Sequence, residues 1–430
     1  AGVTNSEATD NLLTISGTLT LNGAGALVID ASKLALADGS TIDRKLTTCT
    51  LTNLPTFGVI NVTYSGAEAA AITTAKELPA TVANLTVNRT AGGGVNDQVD
   101  LAADLTVSGT LYLQAGLLDE TTKAVTIGAG GTLEIAAGDF EGTDSPTVTS
   151  YTLAYSGGGA VVSKASHLQS GTGITLLGLT VKTANTVLTP HAGLTVTNLT
   201  LNASGGGICL NTATAVRNLT ITGNLTFTAG NFSTIVLTGA VTAQPKIVFG
   251  GTAAQTITVP AAGVALPNGS DVTADGDFLD ITDIPGINIE LNNTATAEAA
   301  RLITLSGGNF AMGAGGGMIM TSGVFVTGSN TLTLVQGSNP STNQPTQGFT
   351  RNVTAPNFAH IAGNVKKYIN NTAGTSVDRS IVTFPVGTVP ASPGNYRPYG
   401  IYFKNAPQNA VNITVSAVDS RPGGANGYPI

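Results

Sequence analysis

The densest run of ligand-type side chains is DVTADGDFLDITD, which puts Asp271, Asp275, Asp277, Asp280 and Asp283 within thirteen residues. Several carboxylates around a glycine-containing bend are what a hard cation such as calcium requires, and DGD at 275–277 supplies the bend. The spacing departs from an EF-hand loop, because glycine stands between the acids and no glutamate closes the set. Asp271, Asp275, Asp277 and Asp280 are the candidate metal ligands, with calcium the candidate ion and a solvated acidic loop the alternative. Asp139, Glu141 and Asp144 in GDFEGTD form a smaller group of the same kind.

Other chemistry is thinly supported. The three histidines, His167, His191 and His360, lie near no cysteine and in no H-x-x-x-H pattern, so the sequence argues against a zinc site. No nucleophile elbow is present. Cleavage of polysaccharides needs close acid pairs, whereas the 25 acids are spread thinly and tryptophan platforms are absent. Catalysis is therefore not expected. Cys49 and Cys209 read as small, partly buried thiols in strands; a bond within the chain or between molecules is the alternative. The glycine runs at 91–95, 156–160, 204–208 and 313–318 lack a phosphate-loop pattern and read as turns.

Composition narrows the partners. Of 430 residues, 10% are charged, against about 25% in an ordinary soluble domain. The net charge of −7 and the lack of a basic run argue against nucleic acid. No apolar stretch reaches the roughly 18 residues of a membrane span. Low charge with abundant threonine and other β-branched residues points to a folded, β-rich chain. The opening AGVTNSEATD, with a small first residue, fits a mature N-terminus after removal of a signal peptide.

These residues must be positioned by strands. NLTITGNLTF at 218–227 is echoed by LLTISGTLTL at 12–21 and DLTVSGTLYL at 104–113. Each alternates apolar and threonine positions on either side of a glycine, which is two short strands around a tight turn. Related phrases begin at 84, 104 and 124, and again at 178, 198 and 218, a constant step of 20. Such a step is the signature of stacked β-solenoid coils. VTYSG (62–66), LAYSG (153–157) and IVFGG (247–251) mark a longer period, giving units near 62–152, 153–246 and 247–335. A string of β-sandwich domains is the competing architecture. Many Asn-x-Thr sequons fall inside the repeat, Asn84, Asn198, Asn218 and Asn224 among them, and read as turn residues that stack between coils. AEAAAITTAKEL (67–78) has the propensity for a turn or two of helix. The expected fold is all-β: a parallel β-helix-like solenoid over 1–345, with coils of about 20 residues. An antiparallel, β-sandwich-like domain follows over 350–430, where aromatic and basic residues rise.

The C-terminal run GNVKKYIN…TFPVGTVPASPGNYRPYGIYFKN, with the threonine-rich phrases before it, resembles repeat-rich secreted and cell-surface proteins of Bacteroidetes and Chlorobi type bacteria, many of them cargo of the type IX secretion system. The resemblance rests on Gly363, Asn364 and Tyr368, then Phe384 to Gly387, then Tyr396 to Pro398. It implies an extracellular or cell-surface location and a structural or adhesive role, and it supplies no catalytic residues.

The sequence is thus read as a structural subunit of a surface fibre, filament, sheath or surface layer. It would associate with itself or with other surface proteins through β-rich surfaces. An adhesin binding a glycan or another surface is the alternative.

Overall fold

The computed structural model describes residues 12–92, 94–120, 122–169, 173–239, 241, 243–270, 283–334, 349–351, 359–369, 381–389, 397–402 and 411–417. Among them the helical elements are two 3-10 turns, Gly94–Asp97 and Glu298–Ala300, and the remainder is strand, turn and loop. The chain forms two compact units. The first comprises Ala1–Gly159 and Ser163–Thr186, the second Ala160–Val162 and Val187–Ile430.

The first unit is a parallel β-solenoid. Its longest sheet stacks Thr18–Leu21, Thr41–Arg44, Asn61–Gly66, Asn84–Arg89, Thr110–Ala115, Gly131–Ile135, Ser150–Tyr155 and Thr175–Val181, each parallel to the one before. Alternation sorts the side chains. The inward column reads Leu19, Ile42, Val62, Leu85, Leu111, Leu133, Leu153, Leu179, and from Ile42 onward each is 1% exposed or less. The neighbouring outward column reads Thr18, Thr41, Asn61, Asn84, Thr110, Thr132, Thr152, Gly178. Threonine suits that row because its branched Cβ favours extended backbone and its hydroxyl stays hydrated. A second face carries an all-threonine outward row, Thr81, Thr106, Thr126 and Thr147. Each buried aliphatic contributes about 1.5–3 kcal/mol. The contribution depends on the coils above and below being in place.

The decapeptide is a corner between two faces of a coil. In its three copies the first half (Leu13–Ile15, Leu105–Val107, Leu219–Ile221) and the second (Thr18–Leu21, Thr110–Ala115, Leu225–Ser233) pair in different sheets. Asparagine fastens these corners across coils. The Asn84 side-chain oxygen accepts the backbone N–H of Thr110 (2.7 Å), that of Asn198 accepts Asn224 (2.9 Å), and that of Asn224 accepts Thr256 (2.8 Å). The sequons Asn84, Asn198 and Asn224 are therefore structural ladder positions, as their place in the repeat implied.

Glycine at the corner makes room for that contact. A Cβ on Gly223 would lie 2.7 Å from both the Thr197 carbonyl and the Asn198 side-chain oxygen, and Gly109 meets the same pair of groups on Ala83 and Asn84. Gly17, at the same place in the first copy, has nothing within 4 Å. Gly223→Ala is expected to destabilise the protein by about 1–3 kcal/mol, and Gly17→Ala to leave the melting temperature unchanged. Thermal denaturation followed by circular dichroism checks both; equal effects at the two sites would contradict the corner packing.

The twenty-residue echo does not mark one stacked column. Leu105 does stack on Val125, but Leu85 stacks on Leu111, Leu199 on Leu225, and Leu219 between Leu194 and Ile247. Every face needs the same alternation, so the same phrase recurs on different faces. Register steps run from 20 residues (Ile42 to Val62) to 26 (Leu85 to Leu111) along the long sheet.

The second unit repeats the pattern with longer excursions. One parallel sheet runs Leu194–Val196, Leu219–Ile221, Lys246–Phe249, Asn288–Asn292, Met318–Ser322, Phe349–Arg351. Another runs Asn198–Cys209, Leu225–Ser233, Gln255–Thr258, Leu302–Ser306, Val324–Leu334, His360–Ile369. The glycines at 204–208, expected to be a turn, lie inside Asn198–Cys209, where the register shifts. The boundary expected near 345–350 adjoins residues 335–348, which lie outside the described ones. Parallel pairing is present on both sides of it, since Met318 pairs with Phe349 and Val324 with His360. Beyond it antiparallel pairing joins His360–Ile369 to Val411–Ser416 and Ile381–Phe384 to Tyr399–Tyr402, where the earlier part of the unit has a short antiparallel hairpin, Asn211–Thr212 with Ala215–Val216. Lys367, from GNVKKY, lies over the ring of Phe384, from FPVG, at 5.7 Å, and burial lowers its ammonium to about 8.

Residues 67–78 form no helix. Ile72–Thr73 pairs instead with Val99–Asp100, placing Ile72 in the core, and Glu77 is buried. Tertiary packing overrides the local alanine preference.

Candidate functional site

Asp271, Asp275, Asp277 and Asp280 lie outside the described residues. Asp283 is fully buried, and its carbonyl accepts the backbone N–H of Leu237 (2.9 Å). The smaller group at 139–144 is described, and the fold adds further acids to it.

That group lies on a third face of the first unit, built from Ile72–Thr73, Gln98–Asp100, Leu117–Asp119 and Asp139–Phe140 in parallel. Ile72, Val99, Leu118 and Phe140 point inward and are 2% exposed or less. The intervening positions point out, so Thr73, Asp100 and Asp119 stack in one row. Two carboxylates one coil apart have backbones separated by about 4.8 Å. Burial and then the Asp119 charge raise the Asp100 carboxyl, while Gln98 and Thr73 partly offset this through hydrogen bonds. Gln98 also donates to Asp119 (2.7 Å).

Beyond the row, the chain turns at Glu120. Its backbone N–H donates to the Asp144 carboxylate (2.6 Å), and Asp144 in turn closes a turn with Glu141 (2.9 Å). The Glu120 side chain is buried. One oxygen accepts the Val125 N–H at 3.4 Å, and the other has no hydrogen-bond partner among the described residues. Burial pushes this carboxyl up to about 7, opposed by the Val125 contact and reinforced by Asp144 and Asp119.

Asp139 behaves oppositely. Burial alone would raise it, but hydrogen bonds from His167 and Lys164 outweigh burial and hold it at about 2. His167 is buried. Its Nε2 lies 2.8 Å from Asp139 and its Nδ1 3.3 Å from the Tyr155 hydroxyl, while its carbonyl accepts the Tyr151 hydroxyl (2.8 Å). His167 is thus a core residue anchoring the loop that carries it. General acid and base catalysis uses a carboxyl raised toward neutrality beside one held low, but the charges that act on Glu120 are Asp144 and Asp119, and those that act on Asp139 are His167 and Lys164. The unpartnered Glu120 oxygen is also sealed from solvent. Among the described residues no three His, Cys, Asp or Glu side chains are placed to hold a metal ion.

The remaining buried charges were not singled out by motif. Arg44 and Arg89 occupy inward positions of the long sheet. Arg44 is 2% exposed and pairs with fully buried Glu77 at 2.6 Å, donating also to the carbonyls of Leu46, Thr47 and Thr73. Glu77 accepts the Tyr64 hydroxyl as well (3.0 Å), and burial, then Glu77, raise that phenol. Arg89 donates to the carbonyls of Ser65, Glu68 and Ala70. A cleft of about 380 Å³ adjoins it, lined also by Thr90, Asp97 and Leu117. The signal for both arginines was readable. In TIDR and NLTVNR each falls two residues after an inward aliphatic.

Cys49 and Cys209 are free and buried; Cys209 ends the strand Asn198–Cys209, whereas Cys49 lies outside the strands. His360 is also buried, its Nε2 2.7 Å from the Thr388 carbonyl. No helix among the described residues is long and apolar enough to cross a membrane. No family model, curated protein or solved structure matches the chain.

Proposed function

We propose that this protein is an extracellular structural subunit of a surface fibre, filament, sheath or layer, associating through its β-rich surfaces. The observation that carries this reading is where its buried polar groups are directed. Arg44 and Arg89 bind main-chain carbonyls of the coils. Asn211 donates to and accepts from the backbone of Ile235 (2.8 Å each), and Gln255 donates to the carbonyls of Ile221 and Gly223. These groups hold one coil to the next, and hydroxyl-bearing rows face outward. Such faces suit lateral packing, and the open edge of a coil stack suits association by strand addition. The C-terminal resemblance supports export to the cell surface, with the antiparallel pairs after 360 forming part of a sandwich-like end domain.

Negative-stain electron microscopy of the purified protein, with and without EDTA, tests the proposal. Ordered polymers are expected, and their loss in EDTA would support calcium at Asp271, Asp275, Asp277 and Asp280. Single particles at every concentration would overturn self-assembly. One observation favours an adhesin as the second reading: Tyr399 is 54% exposed in the C-terminal region. Binding to a glycan array by protein that stays monomeric would select it.

A further inference from the structure

We propose that Gln98, Asp100 and Asp119 form a calcium site that staples two successive coils of the first unit. The two carboxylates stand on adjacent strands of the third face, Gln98–Asp100 and Leu117–Asp119, whose parallel register sets Asp100 directly against Asp119. Neighbouring strands are about 4.8 Å apart, close enough for one ion to take an oxygen from each. Asp100 makes no ion pair with a side chain among the described residues. Thr73, in the same row one coil earlier, hydrogen-bonds the Asp100 carboxylate and fixes it from the other side.

Gln98 sets this pair apart from a solvated acidic row. It is 8% exposed, its Nε2 donates to Asp119 (2.7 Å), and its amide also hydrogen-bonds Asp100. The amide therefore lies against both carboxylates. Its Oε1 is joined to the same carbon as Nε2 and so lies close to Asp119, yet it is buried and has no hydrogen-bond partner among the described residues. Asp100 Oδ1 is buried and unpartnered in the same way. Buried acceptors without a donor are costly, and an ion is one of the few things that relieves them. A half-turn of the amide exchanges its oxygen and nitrogen. Without an ion the N–H faces Asp119; around an ion Oε1 takes its place.

The donor set selects the ion. Two carboxylates and a neutral carbonyl balance a divalent charge. All three ligands are oxygens, and the ladder rather than the ion sets the spacing of the strands that carry them. Calcium accepts irregular geometry and fills its remaining positions with water from the outward side, whereas magnesium demands a near-ideal octahedron. Three protein ligands make a weak site, with a Kd of about 0.1–1 mM. The bound ion opposes separation of the two strands.

Hydrogen exchange of the full chain tests this, after stripping with EDTA and return to about 10 mM calcium chloride or to potassium chloride of equal ionic strength. The Leu101 N–H bonds the Asp119 carbonyl (3.2 Å), so its exchange reports opening between the two strands. Calcium is expected to raise its protection about tenfold or more, and magnesium at the same concentration much less. Asp100→Asn with Asp119→Asn keeps the shape and an acceptor for Gln98 but removes both charges. This double variant should lose the calcium effect while holding at least wild-type protection in potassium chloride, since two like charges no longer face each other. Gln98→Glu adds a third carboxylate and should lower the calcium concentration needed, which a purely structural glutamine would not predict. The proposal is overturned if calcium leaves Leu101 unchanged in the wild type, if magnesium acts equally, if the double variant still responds, which would place the ion elsewhere, or if Gln98→Glu needs as much calcium as the wild type.

Discussion

Leu219→Asp is expected to unfold the stack of the second unit around it. Leu219 is 1% exposed and pairs with Leu194 before it and Ile247 after it. The substitution removes a buried aliphatic and places a carboxylate where nothing can solvate or pair it. The loss should be about 4 kcal/mol or more, at the severe end for a single change. Because each coil is stabilised by its neighbours, the damage should spread to adjacent coils. Thr220→Asp is the control: Thr220 is partly exposed and faces outward in a row with Thr195 and Val248, so its effect should stay within about 1 kcal/mol. Chemical denaturation of both variants decides the matter. A fully stable Leu219→Asp protein would show that this face does not point inward.

The second large effect concerns the ion pair inside the first unit. Arg44→Ala should cost about 3–5 kcal/mol, because it leaves Glu77 buried and charged without its partner. It also leaves the carbonyls of Leu46, Thr47 and Thr73 without the donor that now reaches them. Charge, rather than side-chain volume, should dominate. Glu77→Gln keeps an acceptor for the Tyr64 hydroxyl and for the Ala75 N–H (3.0 Å), so adding it to Arg44→Met should recover much of the loss. A double-mutant cycle by urea denaturation measures the coupling. If Arg44→Met alone were as stable as the double variant, the stranded charge would not be the cause.

Both predictions depend on which way a side chain points, and that much was legible in the sequence. The alternation in NLTITGNLTF separates Leu219, Ile221, Leu225 and Phe227 from the threonines, and the first four are buried. VTYSG and LAYSG, 91 residues apart, occupy the same two inward columns, with Val62 and Leu153 in one and Tyr64 and Tyr155 in the other. A polar asparagine before the motif's strand is a corner ladder residue for the same local reason: its side chain reaches the backbone of the next coil.

The pairing of one coil with the next was decided by tertiary structure. IVFGG looks like the third copy of VTYSG, yet Ile247 belongs to the sheet with Leu219. Coil length varies, from 20 residues between Ile42 and Val62 to 48 between Ile257 and Leu305, so counting along the chain loses the register. The site followed the same rule. Glu120 meets Asp144 and Arg44 meets Glu77 across 24 and 33 residues, in surroundings that carry no motif. Alternation is a property of two neighbouring residues and is written locally. The partner one coil away is set by how long each intervening loop happens to be, and only the folded stack fixes it.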